Sequence, residues 1–172
     1  MSETLTEEDL NELLECSRYG ELEDLTYLLD AGADINYRRP EDGSTALHMA
    51  SANGHLEIVS LLLSRGAKHA ANNAGNTPLH WACLNGKSEV AAKLLSTCAP
   101  GEIDVYVKNV QGKSAFTVAI SNGHEELARS MLHHSSAEPP VGEVGPAGVA
   151  EETEDIADED ELLQGKPMEG SL

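Results

Sequence analysis

The chain has 172 residues and a formal net charge of −19, from 30 acidic and 11 basic side chains. Such a balance is repelled by nucleic acid and by anionic membrane and attracts cationic proteins, which argues against direct nucleic-acid or membrane partners. With one Phe and one Trp the core must be built from Leu, Ile, Val and Ala, and three Cys without paired spacing argue against a disulfide framework or a zinc site.

The first predicted helix runs over roughly Glu7–Tyr19 and is studded with Glu and Asp. Gly20 then opens a second helical stretch that ends in Leu28-Leu29-Asp30-Ala31-Gly32. In the next unit Gly43-Ser44 is a turn, Thr45 an N-cap and Ala46–Asn53 a short helix. Its companion, His55–Arg65, carries Leu56, Ile58, Val59, Leu62 and Leu63 at helical spacing. Thr77 caps the following helix, and Pro78 sits at its first position, where a missing N–H costs nothing. Lys87–Ser96 repeats the apolar stripe with Val90, Ala91, Leu94 and Leu95. Thr97–Asp104, with Pro100-Gly101, reads as a loop. Gly112–Gly123 and His124–His134 form the last unit, with Thr117 where the two earlier units have His.

These elements repeat. Ser44-Thr-Ala-Leu-His48 returns 32 residues later as Asn76-Thr-Pro-Leu-His80, and Gly20, Gly54, Gly86 and Gly123 follow one another at 34, 32 and 37 residues. A period near 33 is the mark of a helical solenoid. Asn-Gly often closes a hairpin, but the flanks here have helical periodicity, so each Gly reads as a left-handed helix stop. Helices this short are marginal alone, so each must bury its apolar face on a neighbour. The expected fold is all-α: a four-unit stack over residues 1–134, its acidic first unit and its last unit acting as caps.

The tracts "TALHMASANGHLEIVSLLLSRGA", "TPLHWACLNGK" and "LLDAGADIN" resemble the ankyrin repeat over about Leu10–His134. That resemblance implies helix–turn–helix units whose turn tips and first helices form a concave, protein-binding face. It also implies that His48 and His80 bond turn backbone and tie units together, rather than bind metal. Mapped onto this chain, the face includes Arg18, Tyr19, Glu41, Asp42, Met49, Asn53, Asn76, Trp81, Leu84, Asn85, Val118, Ser121 and Asn122, together with Ala52, Asn73, Val110 and Lys113. Trp81, in register with Met49 and Val118, is the expected hot spot, because Trp is enriched among such residues and Leu84 adjoins it; the alternative is a Trp that merely bridges neighbouring repeats.

Residues 135–172 shift to Glu, Pro, Gly, Ala and Val and cannot bury enough apolar surface to fold alone. Within them Glu151, Glu152, Glu154, Asp155, Asp158, Glu159, Asp160 and Glu161 form an acidic run beside Ile156, Leu162 and Leu163. It reads either as a solubilising tail or as a clamp for a basic ligand. No residue carries a catalytic motif. His124-Glu125-Glu126 lacks the second His that a zinc-protease helix needs. No catalysis, cofactor or metal is therefore expected.

Within the ankyrin family the paired tracts, the irregular acidic first unit, the lengthened third and the acidic tail resemble the yeast-type ankyrin chaperones dedicated to ribosomal protein S-three. That resemblance implies a monomeric escort of a basic ribosomal protein in ribosome biogenesis. The alternative is a generic ankyrin scaffold that holds a signalling or transcription protein. No signal peptide, membrane-length apolar run or lipidation motif is read, so the expected location is cytoplasm and nucleus. Cys16 and Cys83, at positions for small apolar side chains, are expected as buried thiols.

Overall fold

The computed structural model describes residues 5–97 and 103–134. Most of the expected loop Thr97–Asp104, Cys98 and the whole of residues 135–172 lie outside the described residues. Eight helices follow in order among the described residues: α1 (Glu7–Tyr19), α2 (Leu22–Asp30), α3 (Ala46–Asn53), α4 (Leu56–Ser64), α5 (Pro78–Leu84), α6 (Ser88–Thr97), α7 (Ala115–Ser121) and α8 (Glu125–His134). No strand joins them there; Lys108 and Ser114 form one isolated bridge.

Odd-numbered helices pack on one another in a row, α1 on α3, α3 on α5 and α5 on α7. The later even-numbered helices form a second row, α4 on α6 and α6 on α8, and every odd helix packs on its own partner. The core therefore runs along the stack between the rows, and its largest fully buried side chains include Leu13, Leu25, Leu47, Ile58, Leu62, Leu79, Leu94, Leu127 and Met131. Cys16 and Cys83 are buried free thiols. Burial pushes both up to about 12, reinforced at Cys16 by the Glu21 carboxylate, so they stay protonated and inert.

Local chemistry starts and stops each helix. Thr6 caps α1 reciprocally: its hydroxyl accepts from the Asp9 N–H at 3.3 Å, and the Asp9 carboxylate accepts from the Thr6 N–H at 2.6 Å. That bonding holds Asp9 below its ordinary value. Gly20, Gly54, Gly86 and Gly123 all have positive φ, between 64° and 88°, at the helix stops. At Gly20, Gly54 and Gly86 the missing Cβ also makes room for the side chain that immediately precedes the next unit's second helix: His55, Lys87 and His124 lie over them.

The turn tips between units pair through backbone: Asn73 N–H donates to Asp42 C=O at 2.9 Å, and Val110 N–H to Ala74 C=O at 3.1 Å. Gly75, at φ +74°, is the tightest approach to another turn's backbone, since a Cβ there would stand 3.0 Å from Asn109 Cα and 3.1 Å from Val110 N. Gly66 has a similar φ of +86° with nothing within 4 Å. Both Gly→Ala changes incur the left-handed strain of about 1–2 kcal/mol, and Gly75→Ala must in addition push the next turn aside. Urea unfolding is expected to rank Gly75→Ala well below Gly66→Ala in stability. Equal losses would mean that the turn tips slide freely past each other.

Candidate functional site: the concave face

The face is held in register by two histidines. Thr45 N–H donates to His48 Nδ1 at 3.2 Å, and Thr45 Oγ1 lies 3.0 Å from the same nitrogen. With Nδ1 accepting, the ring proton sits on Nε2, which donates 2.9 Å to the Asn76 carbonyl of the next unit. The arrangement recurs one unit on: Thr77 N–H donates to His80 Nδ1 at 3.2 Å, and His80 Nε2 donates to the Lys113 carbonyl at 3.2 Å. Each ring thus caps its own helix and anchors the following turn. Burial holds His48 down to about 4 and lowers His80 as well, so both work neutral. The last described unit has no successor to tie. Its Thr117 instead sits with its hydroxyl 3.0 Å from that of Ser114, within its own cap.

Along α5 these ties leave a concavity of about 220 Å³, walled by Asn76, His80, Trp81, Leu84, Asn109, Gln111, Lys113, Val118 and Asn122. Trp81 is half-buried, with its ring edge-on to His48 at 5.7 Å between centroids. Leu84 is 49% exposed beside it. The wall therefore combines the apolar side chains of Trp81, Leu84 and Val118 with the amides of Asn76, Asn109, Gln111 and Asn122, a lining suited to one large side chain of a protein ligand. Six of the expected face residues meet in it: Asn76, Trp81, Leu84, Lys113, Val118 and Asn122.

Two expected contact residues are corrected by burial. Met49 is 4% exposed and Val118 7%, so neither presents the open surface that its register with Trp81 suggested. Trp81 alone of the three is too large to be covered by its neighbours. The exposed amides are also partly committed: Asn53, Asn85 and Asn122 each donate 2.8–2.9 Å to the carbonyl four residues back, Met49, Trp81 and Val118. One N–H of each is consumed in closing its own helix.

His80, Asn109 and Gln111 were missed as wall residues. The signal was present in the repeat. Asn72 Oδ1 accepts from the Ala74 and Asn76 N–H groups, and Asn109 Oδ1 accepts from those of Gln111 and Lys113. Asn72 and Asn109 stand 37 residues apart, the same interval as Gly86 and Gly123. Asn109 Nδ2 also donates 2.7 Å to Asn76 Oδ1, binding two turns into one rim.

The remaining expected residues stand elsewhere on the stack. Ser121 is exposed on α7, outside the pocket wall. Arg18 and Tyr19, at the end of α1, are exposed; the Arg18 carbonyl accepts from His55 Nε2 at 2.9 Å. Glu41 is exposed, 3.8 Å from Arg39. Asp42 is a correction of a different kind: it is occupied. Arg39 donates to its two oxygens at 2.9 and 2.6 Å, and Ser44 N–H and Oγ add two further bonds. The Arg39 bonds hold the Asp42 carboxyl well below the usual carboxylate range. Asp42 braces a turn and has little left for a partner.

Charge is unevenly spread. Residues 5–42 carry twelve acidic and three basic side chains, whereas residues 103–134 carry three of each. The first unit thus holds the negative field of the described stack. The acidic run Glu151–Glu161 lies outside the described residues. Among the described residues no group of three or more His, Cys, Asp or Glu is placed to hold a metal, and no helix is long and apolar enough to cross a membrane.

Comparison with known proteins agrees with this architecture. Residues 13–109 match the family model for ankyrin repeats in three copies, which leaves the divergent fourth unit outside the match. The chain is 37% identical over 150 residues, 80% of its length and 75% of the relative's, to ankyrin repeat-containing protein YAR1 of Saccharomyces cerevisiae. Shorter matches, 41% over 56 residues and 42% over 66, are to serine/threonine-protein kinase 12 of Arabidopsis thaliana and ARF GTPase-activating protein GIT2 of Mus musculus. They span only 12% and 9% of those proteins and reflect a shared repeat segment. With its stacked helix pairs, histidine ties and these matches, the chain belongs to the ankyrin-repeat family and is a protein-binding module.

Proposed function

We propose that this protein is a dedicated escort of a basic ribosomal protein, small-subunit protein S-three, acting in ribosome biogenesis in cytoplasm and nucleus, without catalysis of its own. The observation that carries the reading is the pairing of a concavity lined by apolar side chains and amides at Trp81 and Leu84 with a chain of net charge −19. A free ribosomal protein carries excess cationic charge and is prone to wrong contacts. An acidic binder neutralises that charge while the concavity supplies one specific anchor. The relation to the yeast ankyrin protein over most of both chains supports a whole-protein likeness rather than a borrowed repeat segment. Affinity capture from cells with active protein synthesis, read by mass spectrometry, is expected to recover S-three above other basic proteins. Recovery of a signalling or transcription protein of ordinary charge instead would replace this reading with that of a generic scaffold.

The escort reading also predicts kinetics. Exposed attractions are screened beyond about 8–10 Å at physiological ionic strength, so affinity for S-three is expected to fall steeply with salt. Deleting Glu151–Leu172 is expected to slow association more than it speeds dissociation, since diffuse charge mainly steers encounter. Stopped-flow mixing at low salt checks this. An unchanged association rate would reduce the tail to a solubility device.

A further inference from the structure

Asn-Gly stands at the end of α3, α5 and α7, as Asn53-Gly54, Asn85-Gly86 and Asn122-Gly123. Asparagine is chemically labile. It is most so before glycine, whose lack of a Cβ lets its backbone nitrogen approach the asparagine side chain. All three asparagines are exposed. In the closed cap both reacting groups are engaged. Each Asn Nδ2 donates to the carbonyl four residues back. The N–H groups of Gly54, Gly86 and Gly123 donate to the carbonyls of Ala50, Cys83 and Ile120 at 3.0, 3.4 and 3.0 Å. Reaction therefore waits on local opening, and the cap that opens most readily reacts first.

The structure separates the three. The Lys87 side chain lies over Gly54 and the His124 ring over Gly86, whereas a Cβ on Gly123 would meet nothing within 4 Å among the described residues. Gly123 is exposed, and Gly54 and Gly86 are half-buried. α3 lies between α1 and α5, and α5 between α3 and α7, but α7 packs on α5 alone among the described odd-numbered helices. A unit with one such neighbour lacks an interface that holds an inner unit closed. Gly86 has the longest bond of the three, but its cap cannot open without displacing the His124 ring.

We propose that Asn122 is a modification site: it deamidates spontaneously, turning an amide of the concavity into a carboxylate. The Gly123 nitrogen bonds to Asn122 Cγ and gives up its proton to water. The Cγ–Nδ2 bond breaks, and the nitrogen leaves as ammonia. Water then opens the resulting succinimide at either carbonyl, giving aspartate or isoaspartate. Net, a water enters and an ammonia leaves, and nothing is oxidised or reduced. Asn122 lines the concavity, whose wall carries no carboxylate among the described residues. Its Nδ2 also closes α7 on the Val118 carbonyl at 2.8 Å. The product loses that donor and places negative charge at the negative end of the helix. The inference is independent of which partner the concave face takes.

The test is mass spectrometry of tryptic peptides from the full chain aged in neutral buffer, with a parallel sample held unfolded in urea. The peptide of residues 114–129 contains Asn122 and no other side-chain amide, so the mass gain from amide to acid there reports this site. In urea the three Asn-Gly sites are expected to convert at similar rates. In the native chain Asn122 is expected to convert at least about tenfold faster than Asn53 and Asn85, giving separable aspartate and isoaspartate peptides. Asn122→Gln is expected to abolish the gain in that peptide. Native conversion of Asn53 or Asn85 as fast as that of Asn122 would overturn the proposal. So would an Asn122 that stays intact in the native chain while it converts in urea. A product free of isoaspartate would exclude the succinimide route and overturn it as well.

Discussion

Trp81→Ala is expected to weaken partner binding at least tenfold while the helical content of the isolated chain persists. Among the described residues the tryptophan is the one large aromatic lining the concavity, with exposed Leu84 in the same wall. Truncating a central anchor of this type typically costs about 2 kcal/mol or more in binding. The ring also meets His48 edge-on at 5.7 Å, a contact worth about 0.5–1.5 kcal/mol, so some stability goes with it. Affinity by calorimetry and stability by urea unfolding, measured on one mutant, separate the two contributions. If affinity survives once unfolded protein is discounted and only stability drops, Trp81 belongs to the core and the contact surface lies elsewhere. Met49→Ala serves as the contrast. At 4% exposed, Met49 is expected to cost stability and leave intrinsic affinity intact.

The fold is expected to weaken as pH falls from 6.5 towards 4. An unfolded histidine takes its proton near 6.5. Burial holds His48 and His69 to about 4 and lowers His80. Between those values the unfolded chain binds more protons than the native one, so stability rises with pH through this window and is fully present above it. For the fully buried His48 the loss reaches about 2 kcal/mol by pH 5. His69 adds to it: its Nε2 is buried with no hydrogen-bond partner among the described residues, so a proton there meets no acceptor among them. Nearer pH 4 the acidic side chains begin to neutralise and self-repulsion is relieved. The diagnostic range is therefore 6.5 to 5. Urea unfolding at intervals across it is expected to show a falling midpoint, with a shallower fall in His48→Asn. A midpoint that holds constant from pH 7 to pH 5 would mean that these rings are hydrated in the native state.

The helix pairs were legible in the sequence because what sets them is local. A Thr before the first turn, Pro at the first helical position, Gly at positive φ after Asn, and apolar side chains three and four apart act within one helix length. α1 and α3 accordingly span the residues read from sequence, Glu7–Tyr19 and Ala46–Asn53. The histidine ties were legible too, through the family resemblance, as were the buried thiols. What a side chain on the concave face offers to a partner was not. Met49, Trp81 and Val118 share one register position, and register says only which way they point. How far each is covered depends on neighbours contributed by the units before and after, which are about 33 residues away in sequence. Asp42, expected on the binding face, is engaged because its turn brings Arg39 and Ser44 to it. Ile120 shares a register position with the buried Ser51 and Cys83, yet it is 38% exposed in the last described unit. Direction is fixed by the helix to which a residue belongs, whereas exposure is fixed by what the assembled stack lays over it, and only the tertiary structure decides that.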